Sequence, residues 1–326
     1  MTIKPGDILF TGTPQSVILG EKAPPHQRRW LQPGDDIVSD IEGLGQLRVH
    51  LSGHQKKTKP KANNEIPRNL ATIDRLAVLT GGEAHVTDVS QWSPGVNEDK
   101  SMRFSNNAYL IKHGNDWLLW DTGLQDDLIE IPDGKVVAHG VRGVVTKTVA
   151  SQLQNLGVKP EEISHIAFSH AHFDHVGNSR SFSKAKWYVQ ESEFDAMFGP
   201  DYAQYGFVPD LYETMRDNLV VVTGDEYDIF GDGSVTIVST PGHTPGHQSV
   251  LVSLADRGPV MLSGDMAHFW DNFCCRRVPH MTTSEKKTKE SMDKVDAMVR
   301  AEGAELWINH DWEQNQKIPH APEWIL

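Results

Sequence analysis

The order of patterned segments predicts an α/β fold in which two β-sheets pack together with helices outside. Three observations carry that reading. From about residue 70, short apolar runs recur at strand length; two segments show helical spacing; and several of the runs end in loops that bear His and Asp. The chain is 326 residues long, enough for one large domain or two ordinary ones. With 38% hydrophobic and 23% charged residues and no low-complexity tract, it is neither disordered, collagen-like nor coiled-coil. No apolar stretch approaches the ~20 residues that span a bilayer, so no membrane partner is expected. A formal net charge of -13 opposes phosphate backbones and disfavours nucleic acid as a partner. The two cysteines, Cys274 and Cys275, are adjacent and cannot form a secreted disulfide framework. The first ten residues, MTIKPGDILF, lack a signal-peptide pattern, and a cytoplasmic location is expected.

The elements follow in order. In residues 1–53, Pro-Gly-Asp turns at Pro5–Asp7 and Pro33–Asp35 precede strand-like runs at Ile8-Leu9-Phe10 and Ile37-Val38. Residues 54–69, HQKKTKPKANNEIPRN, are basic, hold Pro and Asn, and have no apolar period, which reads as a linker. Residues 70–326 then form the main domain. Strands are predicted at Leu76–Leu79, Ala108–Ile111 and Trp117–Trp120. A helix is expected through Val145, Val149, Leu153 and Leu156, stopped at Gly157. Further strands fall at Ile166–Phe168, Leu219–Val222, Val235–Val238, Ser249–Val252 and Val260–Leu262. Met292, Val295 and Val299 mark a second helix, and Leu306–Ile308 a last strand.

The chemistry is concentrated in Ser169-His170-Ala171-His172-Phe173-Asp174-His175, directly after a buried strand. Side chains two apart in an extended segment point the same way, so His170 and His172 are expected to converge on one ion. Asp174 and His175 are adjacent, so the chain must turn to aim them at a neighbouring position. Imidazole and carboxylate are ligands for zinc and similar divalent ions. Three further segments follow strands in the same way: Thr240 to His247 with His243 and His247, Ser263-Gly264-Asp265, and Asn309-His310-Asp311. Upstream, Asp121-Thr122-Gly123 ends the Trp117 strand.

This ordered set resembles the metallo-β-lactamase superfamily over residues 70–326. The resemblance implies an αββα sandwich, here with a small N-terminal β-rich extension, and two metal ions in the cleft between the sheets. By motif position, His170, His172 and His243 would hold one ion. Asp174, His175 and His310 would hold the other, and Asp265 would bridge, with Asp121 and His247 orienting the ligands. Within the superfamily, SNNAYLI, LLWDTGL, SHAHFDHVGN, SGDMAHFWDNF and LWINHDWEQ look like the N-acyl homoserine lactonase group. Many members of that group have tyrosine three residues after the bridging aspartate; this chain has His268, as some phosphotriesterase relatives do. Residues 1–53 resemble the C-terminal end of the fumarylacetoacetate hydrolase family. That family's metal-binding carboxylates lie upstream of the matching part, so no catalysis is expected from this fragment.

The resemblance implies a hydrolase with two divalent ions, zinc by default, although manganese, iron and cobalt suit similar ligands. A metal-bridging hydroxide would open a small-molecule lactone of the acyl homoserine lactone kind. Asp174 would pass a proton to the leaving oxygen and His268 would stabilise the oxyanion beside Asp265. A carboxylesterase or phosphotriesterase on the same site is the alternative from within hydrolase chemistry. A non-catalytic metal-binding scaffold is the alternative from outside it. Class B β-lactamase activity fits poorly, because Cys274 and Cys275 match no ligand position. The aromatic stretch from Phe194 through Phe198, Tyr202, Tyr205, Phe207 and Tyr212 reads as an apolar lid over the cleft. A homodimer joined through the N-terminal fragment is a further expectation.

Overall fold

The computed structural model describes residues 71–138 and 140–326, together with the backbone of residues 36–41 and 45–50. The chain divides into two compact units, residues 1–69 and 70–326. In the first, β1 (Asp36–Ile41) and β2 (Gly45–His50) form an antiparallel pair with Ile37 opposite Val49 and Ser39 opposite Leu47. The expected run at Ile37-Val38 is part of β1. The expected turns at 5–7 and 33–35, the run at 8–10 and the linker at 54–69 lie outside the described residues.

The second unit opens with β3 (Arg75–Val86), β4 (Met102–His113), β5 (Asp116–Trp120), β6 (Lys135–Ala138) and β7 (Val141–Val144). Next come α1 (Val149–Asn155), β8 (His165–Ala167), α2 (Phe173–Val176), β9 (Lys186–Gln190), α3 (Glu191–Phe198) and α4 (Pro209–Tyr212). The strands β10 (Leu219–Val222), β11 (Glu226–Asp228), β12 (Val235–Ser239), β13 (Gln248–Leu254) and β14 (Gly258–Leu262) follow. The unit closes with α5 (Trp270–Cys275), α6 (Glu285–Glu302), β15 (Glu305–Trp307) and α7 (Trp312–Asn315). One sheet has eight strands in the order β10-β9-β8-β5-β4-β3-β7-β6, and the other has five in the order β11-β12-β13-β14-β15.

Strand alternation decides which residue goes to which layer. Leu76, Val78, Leu118 and Trp120 of the large sheet pack with Val235, Ile237, Val250, Val252, Val260 and Leu262 of the small one, forming the core between the sheets. Their sequence neighbours Ala77, Leu79 and Leu119 face the other way, onto Val149 and Leu153 of α1 and Met197 of α3. On the outer face of the small sheet, Leu251, Met261 and Leu306 pack against Met292 and Val295 of α6. Burying each such side chain contributes about 1.5–3 kcal/mol. The layers are therefore helix, sheet, sheet, helix, as expected.

One helix boundary differs from expectation. The α1 helix starts at Val149, because the Thr148 side chain accepts the Ser151 N–H at 3.0 Å and caps the helix there. Val145 lies before it and packs with Leu124 and Leu128, so its spacing matched a helix without being in one. Below the loops, Gly81 and Gly123 meet main chain to main chain; a Cβ on Gly123 would fall 2.5 Å from Gly81 Cα. Gly123 also has φ +72°, a conformation that disfavours a side chain.

Candidate metal centre

The loops after β5, β8, β12, β14 and β15 carry Asp121, His170 to His175, His243 and His247, Asp265 with His268, and His310. His172 is in extended conformation, and residues 173–176 then turn through the single-turn helix α2, which is what aims Asp174 and His175. Convergence of His170 and His172 therefore comes from a loop rather than from a continuous strand, since β8 ends at Ala167.

The side chains meet in two groups. In the first, His172 Nδ1 lies 2.8 Å from His170 Nε2 and 3.0 Å from His243 Nε2. In the second, Asp174 Oδ2 lies 3.8 Å from His175 Nε2 and 3.7 Å from His310 Nε2. Asp265 stands between them. Its Oδ2 is 3.6 Å from His243 Nε2 and 3.9 Å from His170 Nε2. Its Oδ1 is 3.2 Å from His175 Nε2 and 3.0 Å from His310 Nε2. All seven residues expected as metal ligands are thus brought together.

Four of the five remaining ring nitrogens are held from behind, which fixes their tautomers, while His243 Nδ1 has no hydrogen-bond partner. His172 Nε2–H donates to the Tyr205 carbonyl at 2.8 Å, leaving Nδ1 for the first group. His310 Nδ1–H donates to the Ser105 carbonyl at 2.6 Å, leaving Nε2 for the second. His175 Nδ1 lies 2.9 Å from Asp121 Oδ2, and Ser169 Oγ lies 3.0 Å from His170 Nδ1. Asp121 also accepts the Ser169 N–H at 2.6 Å and the Ser169 hydroxyl at 3.0 Å. His247 points elsewhere: its Nε2 accepts the Asp265 N–H at 2.9 Å and its Nδ1–H donates to the Thr240 carbonyl at 3.0 Å. Both its nitrogens are used to seat Asp265.

Burial, and then the neighbouring imidazoles His175 and His172, hold His170 well below the usual histidine range. Burial also lowers His172 and His243. These three rings are therefore neutral, the form that ligates a metal. Burial opposes protonation of His175, but Asp265, Asp121 and Asp174 outweigh it and raise the ring well above the usual range. His310 is raised in the same way, chiefly by Asp265. Two buried atoms at the meeting point, His175 Nε2 and Asp265 Oδ1, have no hydrogen-bond partner although they lie 3.2 Å apart. An unsatisfied buried polar atom costs about 1–3 kcal/mol, and a cation satisfies both atoms at once. Five imidazoles and two carboxylates are a donor set for divalent ions of the zinc type. The residues fit two such ions.

The centre forms the floor of a cavity of about 530 Å³, walled by Trp92, Phe104, Val141 and Met281 among others. His268 lines it too, with Nε2 3.3 Å from Asp265 Oδ2 and its ring stacked on His310 at 5.3 Å. It also converges with His243 and Asp265 as a third set of donors. The expected lid is much smaller than the aromatic stretch. Only the Ala203–Gly206 turn lines the cavity. Phe207 and Tyr212 are core residues, and Phe194 and Phe198 pack on that core with Phe198 edge-on to Tyr212. These rings fill space under α3 and α4 instead of covering the cleft.

Sequence reasoning missed several supports. Ser169 touches His170, His175 and Asp121 at once. Asn106 Nδ2–H donates to the Asp174 carbonyl at 2.7 Å, and Asn309 Oδ1 accepts the Asn107 N–H at 3.0 Å. The adjacent Asn106-Asn107 pair and Asn309 beside His310 were visible signals; a lone serine gave none.

Residues 102–301 match the model of the metallo-beta-lactamase superfamily, and residues 1–52 match that of the fumarylacetoacetate hydrolase C-terminal region. An N-acyl homoserine lactonase, AttM, of Azorhizobium caulinodans is 34% identical over 176 residues, covering 52% of this chain and 67% of that protein. Its counterpart in Rhizobium johnstonii is 32% identical over 224 residues, 65% of this chain and 84% of that one. Among solved structures, an N-acyl homoserine lactone hydrolase with N-hexanoyl-L-homoserine bound at its catalytic metal centre superposes with a TM-score of 0.68. It is 24% identical, over 78% of this chain and 100% of that one. The dizinc quorum-quenching lactonase AidC gives a TM-score of 0.56 at 19% identity, over 78% and 97%.

Proposed function

Because this chain belongs to the metallo-β-lactamase superfamily, we propose that residues 70–326 form a dinuclear-metal hydrolase that opens lactone rings of the N-acyl homoserine lactone kind. The observation that carries this reading is Asp265, one carboxylate within 4 Å of imidazoles from both donor groups on the floor of an apolar-walled cavity. His170, His172 and His243 would hold one ion, Asp174, His175 and His310 the other, and Asp265 would join them. When bound, two divalent ions, zinc by default, lower the pKa of water from about 15.7 towards 7 and polarise a carbonyl.

The chain's own groups do the rest. Trp92, Phe104, Val141 and Met281 exclude water and receive the acyl chain. His268 Nε2–H, beside Asp265, donates to the carbonyl oxygen as it becomes an oxyanion. Asp174, which also lines the cavity, accepts the proton that the attacking water gives up and delivers it to the leaving ring oxygen. Two exposed free thiols, Cys274 and Cys275, suit a reducing compartment and support a cytoplasmic location. Residues 1–53 are taken as a fragment without catalysis of its own.

Steady-state kinetics on acyl homoserine lactones of graded chain length, beside an aryl ester and paraoxon, test the reading. The expected result is the highest kcat/KM on lactones, lost with a chelator and restored by zinc, cobalt or manganese. A higher kcat/KM on the phosphotriester would replace lactones as the substrate class, an outcome that His268 makes worth measuring. Turnover unaffected by metal removal would end the proposal.

A further inference from the structure

Glu193, in the first turn of α3, is buried and does not line the cavity above the centre. Its Oε1 accepts the Ala171 N–H at 3.0 Å and the Thr244 hydroxyl at 3.0 Å. Its Oε2 accepts the Gly246 N–H at 2.8 Å. Ala171 lies between His170 and His172, while Thr244 follows His243 and Gly246 precedes His247. One carboxylate therefore ties together the two loops that supply the three imidazoles of the first group. A second observation is independent of these bonds. A Cβ on Gly246 would fall 2.3 Å from Glu193 N and 2.6 Å from Glu193 Cβ, so the start of α3 is pressed directly onto the loop that bears His243.

No ion pair to Glu193 exists among the described residues, so these three donors carry the compensation of its charge. Burial pushes its carboxyl up to about 7 against their pull. An acid in so unfavourable a setting holds loops at a set spacing through directional bonds, which an apolar side chain of the same size does not provide.

We propose that Glu193 is a positioning residue for the ion held by His170, His172 and His243: it fixes the separation of the two loops and thereby sets that ion's affinity and coordination geometry. The inference rests on the reading of these loops as metal-holding. Glu193 reaches the ion only through Ala171, Thr244 and Gly246.

The test uses the full chain, stripped of metal and titrated with cobalt(II) against a competing chelator. Visible absorption reports geometry, and His243→Ala and His310→Ala assign each ion to its group. In Glu193→Gln one oxygen is retained for Ala171 and Thr244, while the new amide confronts the Gly246 N–H. The ion of the first group is expected to bind roughly 10- to 100-fold more weakly, with an altered spectrum, while the ion of the second group is held as before. Thr244→Val removes one of the three bonds and is expected to shift the same ion in the same direction by less. If Glu193→Gln does not fold, Thr244→Val decides alone. Wild-type affinities and spectra in the variants, or equal weakening of both ions, would overturn the proposal while leaving the hydrolase reading intact. A wild-type chain that binds no ion would overturn both.

Discussion

Replacing Asp121 by asparagine tests how the centre selects the form of His175 that it needs. Asp121 is fully buried, and its two oxygens accept the Ser169 N–H at 2.6 Å, the Ser169 hydroxyl at 3.0 Å and the His175 Nδ1–H at 2.9 Å. Asparagine keeps the shape but has one oxygen, which the Ser169 N–H claims. Its amide NH2 then faces His175 Nδ1, which must change from donor to acceptor, and the ring proton moves to Nε2. That atom lies 3.2 Å from Asp265 Oδ1 and 3.8 Å from Asp174 Oδ2, so the proton points into the position proposed for the second ion. A hydrogen bond to a charged group contributes about 1.5–3 kcal/mol. Loss of such an outer support typically costs 10–100-fold in metal affinity, or about 1.4–2.7 kcal/mol, and the two estimates agree. The assay is zinc affinity by chelator competition, with circular dichroism confirming the fold. Asp121→Asn is expected to weaken the ion of Asp174, His175 and His310 by that factor. A folded variant holding both ions as tightly as the parent would refute the tautomer argument.

Other outcomes follow from the same geometry. His268→Ala should lower kcat by roughly 100-fold with little change in KM, as expected for a lost oxyanion donor; unchanged kcat would make the ring a cavity wall. Trp92→Ala removes a ring packed edge-on to Phe104 at 5.3 Å and should cost about 3–5 kcal/mol in thermal unfolding while raising KM most for long acyl chains. Burial, the largest cause, depresses His247 to about 3 in the folded metal-free protein. The unfolded chain then binds more protons between pH 3 and 6.5, so stability should fall on acidification through that window, by at most about 1.4 kcal/mol per pH unit from this ring. His247→Gln should flatten that slope in urea unfolding. Cys274→Ser with Cys275→Ser should leave metal content and kcat unchanged, since both thiols are exposed on α5 and outside the donor groups.

The sandwich was legible because each layer leaves its own period in the sequence. Leu76 and Val78 against Ala77 and Leu79 is a two-residue alternation with both faces apolar, as a sheet covered on both sides requires. The donor set was legible because His170, Asp265 and His310 each follow a strand end by three residues and His243 by four, while His172, Asp174 and His175 share one short motif with His170. Not every strand was: β6, β7, β9 and β11 went unread, although β8 and β15, of three residues each, showed as apolar runs. The β6 and β7 pair is four residues each at a sheet edge, with too few positions to show a period. Val145 misled because residues before a capped helix can keep its spacing while packing elsewhere. Ser169 and Glu193 were invisible for another reason. Their partners lie 48 residues away at Asp121 and 51 and 53 residues away at Thr244 and Gly246, and no local pattern encodes such pairings. The aromatic stretch was misassigned because rings look alike in sequence whether they cap a cleft or fill a core.

The contact between Gly81 and Gly123 divides the molecule into a part that natural variation must leave alone and a part that it is free to alter. Any side chain at position 123 would have to displace the neighbouring peptide, and with it the turn that carries Asp121. Trp92, Val141 and Met281, on the cavity wall, meet it through side chains and not through such a main-chain contact. New specificities should therefore arise by trading residues on that wall, and a lineage can change its diet without rebuilding its hearth.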